Sequence, residues 1–592
     1  MIDSIRQTSN AARFAATAAL LLAITAGSVP AAGSGRERLL LDNGWRFRVG
    51  DAPDASEKFA YPEVSNLEKT RVEDIGKGAE LVSSLPDPAA VNLGGDVSWV
   101  QSGFDDSTWR ELDLPHDWAV ELPFDPRANA NHGFKPVGPG FPGNSVGWYR
   151  RNFQLPADDR GKSLWLEFDG VYRNAIVWLN GHCLGRHVDG YGSFRYDISS
   201  TANFGGTNQL VVRVDASQFE GWFYEGAGIY RHVWLVKAPR VHVAPDGIFV
   251  RTEFERNMPG GPATIRISTR LASSVQDTNL VLRHTIFSPQ RGRLGDVTLG
   301  VVIRAKADTE AETVICCVPR IDTKGRTGET FVRHTPELWS PESPSLYTLL
   351  TTLESGSDII DRVETKFGIR TVAFDADQGF LLNGKPYVVK GTCNHQDHAG
   401  VGSALPDRLQ YFRVARLKEM GCNAYRTSHN PPTPELLDAC DRLGMLVMDE
   451  TRRLDVTPQA LGELERLILR DRNHPSVFIW SLGNEEFALQ ATNAAEAAVR
   501  VLTPNQELAH KLDPTRLCTV AMNADWGFGF STVIDVQGFN YSTRNTGAIA
   551  RALMSRAKKP AQPGIGTETG STRTTRGIYA DDTVRGYMAA YG

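Results

Sequence analysis

The stretch Arg470 to Glu486 reads RDRNHPSVFIWSLGNEE, and its middle decides the fold. VFIWSL (477–482) is an uninterrupted apolar run of strand length, entered through His474-Pro475 and left through Gly483. A strand with no polar alternation is one covered on both faces. It lies between two helical patterns, Leu461 to Asp471 and Thr492 to Leu512. A buried strand flanked by helices is the unit of a parallel sheet wrapped by helices.

The same rhythm holds outward from there. YVVKGT (387–392), CNAYRT (422–427), MLVMDE (445–450), LCTVA (517–521), VQGFN (536–540) and GIGTE (564–568) read as further strands, and Arg408 to Met420 and Pro434 to Leu443 as further helices. The count is seven strands. A (β/α)8 barrel has eight and typically about 250 residues. Residues 374–592 are therefore read as a TIM barrel lacking its last βα unit.

Upstream the chain changes character. From 36 to 239, short runs such as SLWLEFDG, NAIVWLNGHCLG and NQLVVRVD are separated by Gly, Pro and Asn, the pattern of a β-sandwich. Asn180-Gly181 predicts a tight hairpin. Residues 51 to 100 are polar and poorly periodic and read as a long loop or insertion. Residues 240–373 give strands such as IFVRTEF, ATIRIST and LVLRHTIF, a second and Ig-like sandwich. The fold expected is multidomain: two β-sandwiches followed by a barrel.

Residues 1–32 carry Arg6 and Arg13, an apolar run from Phe14 to Ala26, and small residues to Ala32, which reads as a secretory signal peptide. The run is shorter than the ~20 residues that span a bilayer. The expectation is an exported protein, periplasmic or secreted, with no membrane association after cleavage. Of the 592 residues 41% are apolar and 22% charged, and the net charge is −5, so no basic field exists to hold nucleic acid. The seven cysteines show no C-x-x-C spacing and are expected to be free thiols.

In a barrel of parallel strands the chemistry sits where strands end. Those positions hold His395, Arg426 with His429, Asp449 with Glu450, Asn484 with Glu485, Tyr541, and Glu568. Glu485 and Glu568 follow strands three places apart in the ring, so two carboxylates can face each other across the mouth. For Asp449 and Glu450 a metal or polar-network pair and a solvated strand end are both open.

The segment at 470–486, together with NAYRTSHNPPTPELLDACDRLGMLVMDE (423–450), VVKGTCNHQDHAGVG (388–402) and GAGIYRHVWL (226–235), resembles glycoside hydrolase family 2, and within it the β-galactosidases. The resemblance implies a jelly-roll sugar-binding-like domain at 36–239, an Ig-like sandwich and a catalytic barrel. It implies retaining hydrolysis of terminal β-D-galactose from an oligosaccharide or glycan, with Glu485 as acid/base and Glu568 as nucleophile. Arg426 would keep Glu568 charged, Asn484 would hold the sugar 2-hydroxyl, and His395, His429 and Tyr541 would contact the sugar. Some members bind Mg²⁺ through Glu-x-His after the third strand. Here Thr451, Arg452, Arg453, Leu454 and Asp455 follow, so no metal and no cofactor are expected. Trp222, Tyr224 and Glu225 are expected to pack inside the sandwich. A β-glucuronidase or β-mannosidase of the same family, or a carbohydrate-binding remnant with an impaired barrel, are the alternatives. A homo-oligomer is left open.

Overall fold

The computed structural model describes residues 35–61, 85–221, 223–273, 277–318, 326–523, 526–541 and 561–570. The signal segment at 1–32, residues 62–84 of the polar stretch at 51–100, Trp222 and the chain after Gly570, where the shortfall of a βα unit was expected, lie outside them.

The first sandwich pairs a six-stranded with a four-stranded antiparallel sheet. Its core holds Trp45, Tyr149, Phe168 and Val212. Ala175–Leu179 and His182–His187 form the expected hairpin, with Asn180 and Gly181 both at positive φ (52° and 82°), as a type I′ turn demands. The second sandwich packs two four-stranded sheets around Ile265, Leu282, Ile315 and Leu349.

The third unit is a parallel sheet of seven strands among the described residues: β1 (Gly391–Asn394), β2 (Ala424–Thr427), β3 (Leu446–Glu450), β4 (Val477–Asn484), β5 (Cys518–Ala521), β6 (Val536–Asn540) and β7 (Gly564–Glu568), adjacent in that order. The sheet curls back on itself, since the Cys393 thiol on β1 donates to the Thr567 carbonyl on β7 at 3.1 Å. Four long helices cover it: α1 (Asp407–Glu419), α2 (Pro434–Leu443), α3 (Pro458–Asp471) and α4 (Ala495–Leu512). The β6 and β7 bounds match the sequence reading, whereas β1 starts four residues later than expected. The chain before it is taken up by a small sheet of Val372–Asp375, Gly379–Leu382 and Lys385–Pro386, whose Phe380 and Leu382 join the barrel-floor cluster with Ala424, Met448 and Phe478.

Local chemistry sets the helix ends. Thr457 caps α3 by accepting the Ala460 N–H, and Pro434 occupies the first turn of α2. Gly444 ends α2 at φ 75°, where a Cβ would meet the Pro341 carbonyl oxygen at 2.3 Å.

Much of the distinctive 470–486 segment joins domains. Asn473 accepts the Val250 N–H at 2.9 Å and donates to the Ile248 carbonyl at 2.8 Å, pairing with an edge strand of the second sandwich. Arg472 reaches the carbonyls of Asp246 and Leu512 and stacks on Phe249. His474 and Ser476 bond Asp441 of α2. The 226–235 segment does the same for the first sandwich. Arg231 donates to the carbonyls of Pro431 and Pro432 and to Gln396, and His232 bridges Asp42 (2.6 Å) and Asp407 (2.9 Å). Asp117 accepts from the Ser403 N–H and hydroxyl and from Tyr224.

Two predictions follow from these joints. Asn473→Ala strands a sandwich N–H and carbonyl at the interface and should lower the unfolding free energy by about 1–3 kcal/mol in urea titration. His232 is partly buried, and that desolvation alone would lower its pKa, but Asp407 and Asp42 outweigh it and push it up to about 11. A raised folded pKa stabilises fully below the unfolded value of about 6.5, and the gain is lost as pH climbs toward 11. The Tm gap between the parent and His232→Gln should therefore be widest near pH 6 and narrower at pH 9.

Candidate active site

The carboxyl ends of the seven strands gather the residues that the sequence singled out, except Asp449, which is buried on the helix side beside Asp471 and Arg470. Arg426, on β2, is 4% exposed and sits at the centre. Its Nη1 donates to Glu568 Oε1 at the end of β7 (2.8 Å), its Nη2 to Asn484 Oδ1 at the end of β4 (2.8 Å), and its Nε to Glu450 Oε2 at the end of β3 (2.8 Å). Nη2 also lies 2.6 Å from Glu450 Oε2. Burial works to discharge this guanidinium, but Glu450, Cys393 and Glu568 outweigh it and hold its pKa above the ordinary value.

Glu485 follows β4 immediately, in the left-handed region at φ 45°. For a residue with a Cβ that conformation costs on the order of 1–2 kcal/mol. Its N–H donates to the Ala521 carbonyl of β5 (2.8 Å), and its Oε1 accepts from Asn540 Nδ2 (2.9 Å) and Asn523 Nδ2 (3.0 Å). The Asn540 amide is oriented from its other side, where Thr567 Oγ1 donates to its Oδ1 at 2.6 Å. Asn540 is also the backbone neighbour of Glu568 across β6 and β7. One asparagine thus stands between the two glutamates. Tyr541, at φ 58°, comes next and donates its N–H to the Glu568 carbonyl at 2.5 Å.

His395 and His429 meet edge to face, ring centres 5.1 Å apart. His395 is pushed down to about 3 by burial, His429 and Arg426. Burial and Arg426 also carry His429 well below the ordinary imidazole value, although Glu568 opposes them. His429 Nδ1 lies 2.8 Å from Glu450 Oε1, and its Nε2 lies 3.8 Å from Glu568 Oε1.

Some of the site was not anticipated. Glu450, open between network and solvated strand end, is fully buried inside the network, and burial raises its carboxyl pKa despite Arg426. Strand parity is the signal that finds it. Leu446 and Met448 belong to the barrel-floor cluster, so Glu450 faces inward with them, while Val447 packs against the helices and Asp449 follows it. Asn540 and Asn523 carried no motif. The segment expected to pack inside the first sandwich does so in part: Tyr224 bonds Asp117 and Glu225 accepts the Glu220 N–H, but Phe223 crosses to the barrel and meets His395 at 4.9 Å. Trp480 is buried on the helix side, its Nε1 donating to Asp513.

Arg452 and Arg453 follow β3. Arg452 donates to the carbonyls of His429 and Glu220, and Arg453 lies 3.7 Å from the Glu220 carboxylate. Among the described residues, the three His, Cys, Asp or Glu clusters with metal-like spacing, around His232, His474 and His510, include none of these site residues. No described helix is long and apolar enough to cross a membrane.

Known proteins match this arrangement along most of the chain. The family model described as glycosyl hydrolase 2 galactose-binding domain-like matches residues 143–236, that of glycosyl hydrolases family 2 matches 241–370, and that of the family 2 TIM barrel domain matches 375–460 and 455–584. A β-galactosidase of Bacteroides ovatus is 36% identical over 531 residues, which take in 82% of this chain and 59% of that protein. A protein of Formosa agariphila named as a putative β-glucuronidase is 34% identical over 496 residues, 82% of this chain and 43% of its own length. The solved structure of Bacteroides uniformis β-glucuronidase 2, covalently bound to cyclophellitol-6-carboxylate aziridine, superposes with a TM-score of 0.71 at 26% identity over 91% of this chain and 60% of that one. The chain thus spans roughly half the length of these curated relatives. With three domains matched in the same order and the glutamates at the barrel mouth, the chain belongs to glycosyl hydrolase family 2.

Proposed function

We propose that this chain is a retaining exo-glycosidase that releases terminal non-reducing β-D-galactose. The observation that carries the reading is the pair Glu485 and Glu568, one on each side of Asn540, with only Glu568 bonded to a buried arginine. That asymmetry suits two different tasks. Glu568, bonded to the Arg426 guanidinium, attacks the anomeric carbon while Glu485 gives its proton to the departing glycosidic oxygen. Glu485, now a carboxylate, takes a proton from water. The water oxygen then displaces Glu568 from the anomeric carbon and restores both groups. Asn484, fixed by Arg426, is placed to meet the 2-hydroxyl, where a hydrogen bond strengthens as the oxocarbenium-like state forms.

A neutral sugar fits the way Arg426 is used. Its donors go to Glu568, Glu450 and Asn484, so it offers no open fork to a substrate carboxylate. The Bacteroides ovatus relative, named a β-galactosidase, supports the same reading. A β-glucuronidase is the second reading, favoured by the names of the Formosa agariphila and Bacteroides uniformis proteins. The leader-like run at 14–26 supports export of the protein.

The parent should hydrolyse a chromogenic β-galactoside faster than the matching β-glucuronide or β-mannoside, and a glucuronide preference would replace the reading by its rival. Glu485→Gln and Glu568→Gln should each lower kcat/KM on the unactivated galactoside by about 10²–10⁴-fold. Variants as active as the parent would overturn the assignment, and a parent that binds galactosides without turnover would make the chain a binding protein. Proton NMR of the first product should show β-galactose before mutarotation, whereas α-galactose would exclude double displacement.

A further inference from the structure

Glu450 touches neither of the two glutamates, yet it bonds both Arg426 and His429. It is 0% exposed. Its Oε2 accepts from Arg426 Nε (2.8 Å) and from Ser481 Oγ (2.6 Å) and lies 2.6 Å from Arg426 Nη2, while its Oε1 lies 2.8 Å from His429 Nδ1. Its own N–H donates to Thr427 Oγ1 (2.9 Å), which ties the ends of β2 and β3 together.

His429 Nδ1 lies against Glu450 Oε1 at 2.8 Å and Arg426 Nη2 at 3.2 Å, and a ring nitrogen has one in-plane position with which to meet the two. Were Nδ1 to accept from Arg426, its lone pair would also face a carboxylate oxygen at 2.8 Å. With a proton on Nδ1, the shorter contact becomes a charge-assisted hydrogen bond, and the longer arginine contact is the one that yields. Burial and Arg426 carry the ring's pKa well below the ordinary imidazole value, which favours a single ring proton, and with that proton on Nδ1 the Nε2 atom is an acceptor. Nε2 is the atom facing Glu568 Oε1, 3.8 Å away, and neither of those two acceptors can donate to the other.

We propose that Glu450 is a positioning residue for the hydrolysis: it holds the Arg426 guanidinium in register with Glu568 and Asn484, and it locks His429 as the Nδ1–H tautomer, so that the imidazole presents an acceptor to a sugar hydroxyl. The inference rests on the glycosidase reading for its consequence, though not for its first test. Among the described residues Arg426 links Glu450 to Glu568 and His429 links it toward the sugar side, so loss of Glu450 disturbs both without removing a reacting group. A hydroxyl entering beside Glu568 then finds an imidazole nitrogen that takes its proton rather than one that competes for its lone pairs.

The decisive measurement is the ¹⁵N spectrum of the histidine-labelled full chain, with the His429 signals identified by their loss in His429→Gln. The parent should show a neutral His429 with Nδ1 protonated, and a proton on Nε2 overturns the proposal, whether or not the protein turns over any glycoside. In Glu450→Gln, the amide oxygen can still accept from Arg426 and Ser481 while its NH₂ turns to Nδ1, so His429 should switch to the Nε2–H tautomer. On the substrate the parent prefers, kcat/KM should fall roughly 100-fold, with the larger part in kcat. A folded variant that keeps the Nδ1–H tautomer and the parent's kcat/KM refutes the role. If Glu450→Gln does not fold, the parent spectrum and Ser481→Ala remain: Ser481→Ala should leave the tautomer unchanged and lower kcat less than tenfold, and a tautomer switch there would assign the lock to Ser481 instead. A parent without glycosidase activity but with His429 as Nδ1–H would refute the function and leave the positioning intact.

Discussion

A guanidinium sealed from water at the centre of a barrel mouth has to be paired, and that constraint organises the site. Arg426 is 4% exposed, and leaving such a charge uncompensated costs several kcal/mol. The partners come from three other strands: Glu450 from β3, Asn484 from β4 and Glu568 from β7. Each strand end is thereby set against the others, and a sheet rolled until the thiol of β1 reaches the carbonyl of β7 brings them within reach. The same interaction separates the two glutamates chemically. Glu568 receives the positive charge, whereas Glu485 receives two neutral amides, from Asn540 and Asn523. Two residues of one type acquire different tasks from their surroundings alone.

That mouth is held in place from outside the barrel. The first sandwich reaches it through Arg231, His232 and Asp117, and its Phe223 lies against His395. The second sandwich is joined behind it, where Asn473 completes an edge strand and Arg370 donates to the Pro475 and Val477 carbonyls at the root of β4. β4 therefore carries a sandwich at one end and Asn484 and Glu485 at the other. Polar joints of this kind, made to backbone carbonyls and N–H groups, fix orientation more strictly than an apolar contact of similar size, because hydrogen bonds are directional.

The elements were largely legible because parallel strands covered on both faces are apolar throughout and helices repeat with their own period. VQGFN and GIGTE became β6 and β7 with the expected bounds, and Pro434 to Leu443 became α2. β1 was misplaced because Tyr387 and Val389, apolar like a strand, pack instead against the barrel floor, where burial and not pairing accounts for their character. Of the nine residues named from the strand ends, all but Asp449 lie at the mouth. Glu450 was left open between a network and a solvated strand end, because its partners come from other strands. Asn523, Asn540 and Phe223 were not legible. Asparagine is common at strand ends and in turns, and a phenylalanine beside Tyr224 reads as core unless the sandwich is known to lean over the barrel.

By itself the sequence determined the architecture and its order, since hydrophobic period and turn chemistry are local properties, and through its resemblance to a known family it pointed to Glu485 and Glu568. It also carried the motif RDRNHPS without saying what the motif is for. Only the tertiary structure decided that Asn473 and Arg472 join domains, that Asn540 stands between the glutamates, and that Glu450 anchors both Arg426 and His429. Those assignments depend on which side chains from distant strands meet in a space from which water is excluded. A carboxylate, an amide or an imidazole takes its charge state and its donor or acceptor role from such neighbours, and no stretch of sequence contains them together.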